Sequence, residues 1–363
     1  MPQRLDILRQ AIVAALLAAV VLLSAMPVMA YSNDAGPVFG YSVNSSGNFT
    51  ANDEVHALWR INLQTGVATR VVDTQRVPTG YLDLEALAFN DQGQLYGADD
   101  ESKTLVRVGT VTGLASSVSS SSGNMGVSLM PPLDFGMTFT CDGQLLVASA
   151  TEQSLFTADT SKGTLARIGV AGALDVSLAD LAASADAIYA IEMGQTAVGR
   201  TLEPALYRLS LDPLAVERIG ALGSAVLPYR SAGLAFDEQG QLWALTNRRN
   251  IDDQDFPSQI LRIDTQTGSA EAVAQTQVVG DDAVVGGQAL VGLESLAITG
   301  PNACTASQDP DPVDVVTDGM PMDESDPVAI PVLSQPMLLL LIVLLGILGA
   351  MTVTLQHRQG DPS

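Results

Sequence analysis

The chain has 363 residues and a formal charge of −23, from 40 acidic against 17 basic side chains. Only Lys103 and Lys162 are lysines, so a basic surface that tracks phosphates is not available and nucleic acid is excluded as a partner. The only histidines are His56 and His357, which excludes multi-histidine metal centres and makes any Ser-His-Asp arrangement in the body depend on His56.

The N-terminal residues 1–30 read as a secretory signal peptide. Arg4 and Arg9 precede the apolar run Ala11–Ala25, and Val28-Met29-Ala30 places small residues at the cleavage positions. The expectation is an exported protein whose mature body starts near Tyr31.

The body, 31–304, is built from a repeat. Leu58-Trp-Arg-Ile-Asn-Leu-Gln-Thr-Gly66 recurs at Leu105–Gly113, Leu155–Gly163 and Ile260–Gly268, with a weaker copy at Leu206–Leu214. Each copy alternates apolar and polar residues before a Thr-Gly, Lys-Gly or Asp-Pro turn, as a strand entering a hairpin does. Following strands are expected at 68–72, 165–169, 216–222 and 270–276, and a poorer one at 115–120. A second hairpin precedes four of the five copies. It is seen as Leu84–Phe89 with Gln94–Ala98, Asp134–Phe139 with Gln144–Ala148, Leu178–Ala183 with Ala187–Ile191, and Ser231–Phe236 with Gln241–Leu245.

Four strands per repeat, at a period of about 50 residues, is the pattern of an all-β propeller. The first unit, 38–72, lacks its innermost strand, whereas Leu293-Glu-Ser-Leu-Ala-Ile298 is an innermost strand without a blade. Joining the two closes a ring of five blades and leaves no free sheet edge. Segments 116–132 and 277–292 are long enough to hold further strands and leave room for a sixth.

Glu85 and Glu294 occupy the same position in two copies of the innermost strand, where the other copies have Phe135, Ala179 and Ala232. Asp83, Asp134 and Asp180 lie near the same level. Carboxylates converging near a channel suit Ca²⁺, which takes six to eight oxygen ligands; at this level they are similar to those of calcium-dependent lactonase-like and phytase-like propellers. The plainer alternative is that both side chains line a wet channel without a ligand.

The runs Asp99-Asp100-Glu101 and Asp252-Asp253-Gln-Asp255 lack EF-hand spacing and read as solvated loops, and His56 reads as an exposed strand-end imidazole. Trp59, Tyr96, Phe156, Tyr189, Tyr207 and Trp243 recur at core positions, where packing explains them better than sugar stacking. Cys141 and Cys304 are the only cysteines; in an oxidising compartment they either pair or remain two free thiols.

Residues 305–329 form an acidic linker rich in Asp and Pro, which composition marks as disordered. Met337–Leu355 carries no charge and is long enough to cross roughly 30 Å of hydrocarbon at about 1.5 Å per residue. His357 and Arg358 follow, placing the tail 359–363 in the cytoplasm and the body outside. Ile330-Pro-Val-Leu-Ser334 before this helix resembles the bacterial IPTL-CTERM sorting signal, from which it departs at Val332 and at Gln335-Pro336. The resemblance covers 330–358 and implies a processing enzyme as partner; a plain single-span membrane anchor is the alternative.

The expected function is that of a non-enzymatic binding module displayed at the cell envelope for a surface protein, glycan or cation. A calcium-dependent hydrolase at the channel mouth and an extracellular matrix component are the alternatives.

Overall fold

In a computed structural model of the chain, the described residues are 36–44, 57–71, 81, 84–119, 125–126, 134–196, 199–278, 288–299 and 304. The expected signal peptide, linker, sorting signal, transmembrane helix and tail all lie outside them, as do Asp83 and His56. Among the described residues, no helix is long and apolar enough to cross a membrane.

The first blade begins with β1 (Phe39–Val43), β2 (Leu58–Asn62) and β3 (Val67–Arg70). The second holds β4 (Leu84–Phe89), β5 (Leu95–Asp99), β6 (Thr104–Val108) and β7 (Ala115–Ser117). The third holds β8 (Phe135–Phe139), β9 (Leu145–Ser149), β10 (Ser154–Asp159) and β11 (Thr164–Ile168). In the fourth, β12 (Leu178–Ala183) and β13 (Ile188–Glu192) precede a small hairpin of β14 (Gln195–Thr196) and β15 (Gly199–Arg200). The sheet then resumes with β16 (Ala205–Leu211) and β17 (Leu214–Ala221). The fifth holds β18 (Ala232–Phe236), β19 (Leu242–Thr246), β20 (Gln259–Ile263) and β21 (Ala270–Gln275). The last strands are β22 (Gln277–Val278), β23 (Gln288–Ala289) and β24 (Ala297–Ile298).

These strands form a five-bladed propeller with antiparallel four-stranded blades. The last strand completes the first blade: β24 pairs with β1 at Gly40↔Ile298 and Tyr41↔Ala297. The described residues of 277–292 join the first blade and not a sixth. Their hairpin β22–β23 extends the outside of the first blade to six strands, through parallel pairing of β22 with β3.

The closing strand is shorter than the pattern of 293–298 suggests. Upstream of Ala297 only Leu293 bridges to Asn44, because the Val43 N–H goes to the Ser295 hydroxyl at 3.5 Å instead of to a ladder carbonyl.

The turns that end the third strands share one device. Asn62, Asp159 and Asp264 each accept two main-chain N–H groups from the residues two and three positions on, an Asx turn that reverses the chain at little cost.

The core lies between blades. Five apolar clusters fill the five blade interfaces, since successive residues of a strand point to opposite faces. Leu95 therefore packs toward the first blade and Tyr96 toward the third. Burial on both faces explains why inner strands such as β4 and β8 are buried at every position. At two interfaces the inner strands touch through glycine: a Cβ on Gly136 would lie 2.4 Å from the Asp180 Cα, and one on Gly233 would lie 2.1 Å from the Leu296 nitrogen.

Candidate functional site

An inner strand of a propeller has main-chain N–H groups on its channel edge that no sheet partner can take, and a buried N–H without an acceptor costs about 1–3 kcal/mol. In this ring, side chains from neighbouring blades accept them. Glu85 on β4 accepts the N–H of Phe135 on β8 at 3.0 Å. Asp180 on β12 accepts three, from Met137 at 2.8 Å, Leu181 at 2.8 Å and Leu234 at 2.7 Å, so one carboxylate joins the third, fourth and fifth blades. The Thr138 hydroxyl accepts from Ala183 at 3.2 Å. Burial pushes the Asp180 carboxyl well above the usual carboxylate range, against the three N–H donors.

Glu294, in the irregular stretch before β24, accepts from the side-chain amide of Asn247 beyond β19. Glu85 and Glu294 thus stand on adjoining inner segments and turn to different neighbours, one to the third blade and the other to the fifth. Among the described residues, no three His, Cys, Asp or Glu side chains group as metal ligands. The channel narrows toward its lower end. There, Leu87, Met137, Leu181, Leu234, Leu296 and the residues after them enclose a cavity of about 50 Å³.

At the upper face, where the inner strands begin, Asp134 precedes β8. Burial raises its carboxyl first and the nearby Asp100 adds to this, while Arg230 and the Thr151 hydroxyl oppose both. Asp252, Asp253 and Asp255 are exposed, as a solvated loop would be, whereas Asp99 and Asp100 are buried. Asp99 accepts the N–H and hydroxyl of Ser102. Asp252 holds Arg200 at 2.9 and 3.1 Å, and Asp255 accepts the Asn250 N–H at 2.8 Å. Arg248 is buried, donates to the carbonyls of Pro228 and Pro257, and covers the Phe256 ring.

Of the aromatics, Trp59, Tyr96, Phe156 and Trp243 are buried, whereas Tyr189 and Tyr207 are partly exposed. Cys141, in the turn between β8 and β9, is disulfide-bonded to Cys304, with Cα atoms 5.3 Å apart. Cys141 also borders a lower-face cavity of about 650 Å³ between the third and fourth blades.

A second groove, of about 610 Å³, lies at the upper face between the same blades. Glu192, the last residue of β13, stands in it and accepts the Tyr207 hydroxyl and the Ala205 N–H, each at 3.2 Å. Burial raises the Glu192 carboxyl, partly offset by those two donors and by Arg218. No repeated motif marks Glu192. The corresponding ends of β5, β9 and β19 are Asp99, Ser149 and Thr246, and the signal in the sequence is the long interval 193–204 where the second and third blades have the short turns 100–103 and 150–153.

No known family profile matches the chain, and no curated protein matches it. Among solved structures, virginiamycin B lyase from Staphylococcus aureus is similar over 64% of this chain and 73% of its own, at 14% identity and a TM-score of 0.34. A gluconolactonase from Xanthomonas campestris is similar over 75% and 84%, at 14% identity and a TM-score of 0.35. A chain of a nidogen/laminin complex is similar over 74% and 100%, at 10% identity and a TM-score of 0.40.

Proposed function

We propose that this chain is an exported envelope protein whose propeller is a non-enzymatic binding module for a surface protein or glycan. In this reading it is held at the membrane by the segment 330–358 or released after processing there. The observation that carries the reading is the use of the inner-strand carboxylates. Glu85 and Asp180 accept main-chain N–H groups of neighbouring blades, and Glu294 accepts the Asn247 amide. A metal-dependent hydrolase needs such carboxylates turned toward one point where a water is polarised; here each is engaged by N–H donors of neighbouring blades. In a repeat protein, insertions gathered on one face mark the binding face, and the β14–β15 hairpin and the loop bridged at Ile251↔Gln254 meet on one face through Arg200 and Asp252.

The test is an assay of the purified full chain on an aryl ester, a lactone and a phosphate monoester, with and without added Ca²⁺. The reading expects no turnover and no calcium-induced rise in Tm. Calcium-dependent turnover that is lost in both Glu85→Gln and Glu294→Gln would replace the binding module with the hydrolase. Intact-mass measurement of membrane and medium fractions tests the address: loss of 1–30 is expected in both, and a cytosolic protein that retains them contradicts export.

A further inference from the structure

The upper-face groove between the third and fourth blades has the chemistry of a ligand site. Its volume of about 610 Å³ falls within the range of roughly 300–1,000 Å³ usual for small-molecule sites. Its walls come from different parts of the chain: Gln153 from the β9–β10 turn, Asp175 and Ser177 from the segment before β12, Glu192 and Tyr207 from the fourth blade, and Thr201 after β15. It opens where the fourth blade departs from the repeat, since β14 and β15 interrupt the passage from β13 to β16.

The polar groups select the class of ligand. Acceptors dominate: the Glu192 carboxylate, with its Tyr207 and Ala205 donors supporting it from the side, and the exposed Asp175. The lining cation, Arg200, is bound through one guanidinium nitrogen to both oxygens of Asp252, and Arg218 beside Tyr207 is matched by the Glu192 carboxylate, so each arginine already has its carboxylate and an anionic ligand would still meet the exposed Asp175. Donors are uncharged: the Gln153 amide and the Ser177 hydroxyl, 3.5 Å apart, while the Thr201 hydroxyl donates to the Met193 carbonyl at 2.7 Å. Leu174, Val176 and Val216 add aliphatic surface between them. Carboxylate and amide groups alternating with aliphatic patches match a molecule that alternates hydroxyls with C–H faces.

We propose that this groove binds a neutral carbohydrate, with the Glu192 carboxylate accepting its hydroxyls and Tyr207 holding that carboxylate in place. This deepens the binding-module reading and rests on it.

The experiment is calorimetric titration of the full chain, kept in a zwitterionic detergent free of sugar, with cellobiose, maltose and N,N′-diacetylchitobiose, and with spermidine as a cationic probe. At least one disaccharide binds, and Glu192→Gln weakens it about tenfold, as expected for loss of a charge-assisted hydrogen bond. Asp175→Asn weakens it too; this exposed loop position keeps its left-handed backbone with Asn (φ +53°), so a folding defect does not obscure the result. Failure of all three sugars to bind, equal affinity in Glu192→Gln and Asp175→Asn, or preference for spermidine would overturn the site. Chromatography of the sugar after incubation separates the two readings: a cleaved disaccharide refutes the non-enzymatic module while leaving the groove as its site, whereas absence of binding refutes only the groove.

Discussion

The Glu85 carboxylate on the inner strand of the second blade accepts the main-chain N–H of Phe135 on the inner strand of the third, at 3.0 Å. Glu85 is 8% exposed, so the bond lies away from competing water. Glu85→Gln keeps an oxygen that can take this N–H and is expected to cost less than about 1 kcal/mol, whereas Glu85→Ala strands a buried donor and costs about 1–3 kcal/mol. Urea denaturation of the two variants separates them. Equal losses would show that the charge, rather than the acceptor, matters.

Asp180 is the stronger case, with its N–H donors drawn from three blades. Asp180→Asn leaves an amide N–H₂ facing a main-chain N–H, since the two carboxylate oxygens both serve as acceptors. The expected loss is about 2–4 kcal/mol, more than for Glu85→Ala, because at least one buried donor is unsatisfied and a second is set against it.

Two other carboxylates set the dependence on pH. Burial raises Asp134 and Glu192 above the ordinary carboxylate range. Each therefore binds its proton more tightly folded than unfolded. Their contribution to stability is complete below about pH 4, the unfolded value, and is lost as pH rises through the raised folded values. Tm is accordingly expected to be higher near about pH 5 than near about pH 7, with a flatter profile in Glu192→Gln. Calorimetric scans across that range check both points, and a Tm that climbs toward neutral pH contradicts them.

Ring closure depends on few main-chain bonds: β24 meets β1 at two residue pairs. Cys304, six positions beyond Ile298, is bonded to Cys141 in the third blade, so the disulfide ties the closing strand across the ring. The double substitution of both cysteines by serine is expected to lower stability by about 2–4 kcal/mol and to speed amide exchange at Tyr41 and Val43 before other blades respond. Unchanged exchange there would show that the bond fixes only the tail.

Trp243 is 2% exposed and donates its indole N–H to Asp237 at 2.7 Å. It fills the interface between the fifth and first blades. Trp243→Ala should cost about 3–5 kcal/mol and Trp243→Phe less, measured by chemical denaturation.

The repeat made much of this fold readable. The copies beginning at Leu58, Leu105, Leu155, Leu206 and Ile260 are the third strands β2, β6, β10, β16 and β20, because their turns carry strong local chemistry in Asn62, Asp159 and Asp264. The closing role of 293–298 was readable from complementary ends. Its irregular interior was not, since whether Ser295 or a carbonyl receives the Val43 N–H depends on how two distant segments meet. The β22–β23 hairpin leaves no local pattern either: its strands are two residues long, and only β22 attaches to β3, in parallel.

The site divides in the same way. Glu85 and Glu294 stood out by breaking the repeat, but the direction a carboxylate turns is decided by the neighbouring blade, so their partners Phe135 and Asn247 were invisible in one dimension. Asp180 shared their level without marking itself as the residue that joins three blades. Tyr207 read as core because its strand repeats; its hydroxyl reaches Glu192 because the insertion after β13 opens the sheet's upper end.

The central claim is that the inner-strand carboxylates tie the blades together. It is tested most directly by amide hydrogen exchange at Phe135, Met137 and Leu234, in the calcium-free protein and after calcium is added. Strong protection without calcium is predicted, unchanged by the ion and lost at Phe135 in Glu85→Ala and at Met137 and Leu234 in Asp180→Ala. Fast exchange that becomes slow only when calcium is added would contradict it and make these carboxylates part of a metal-dependent site.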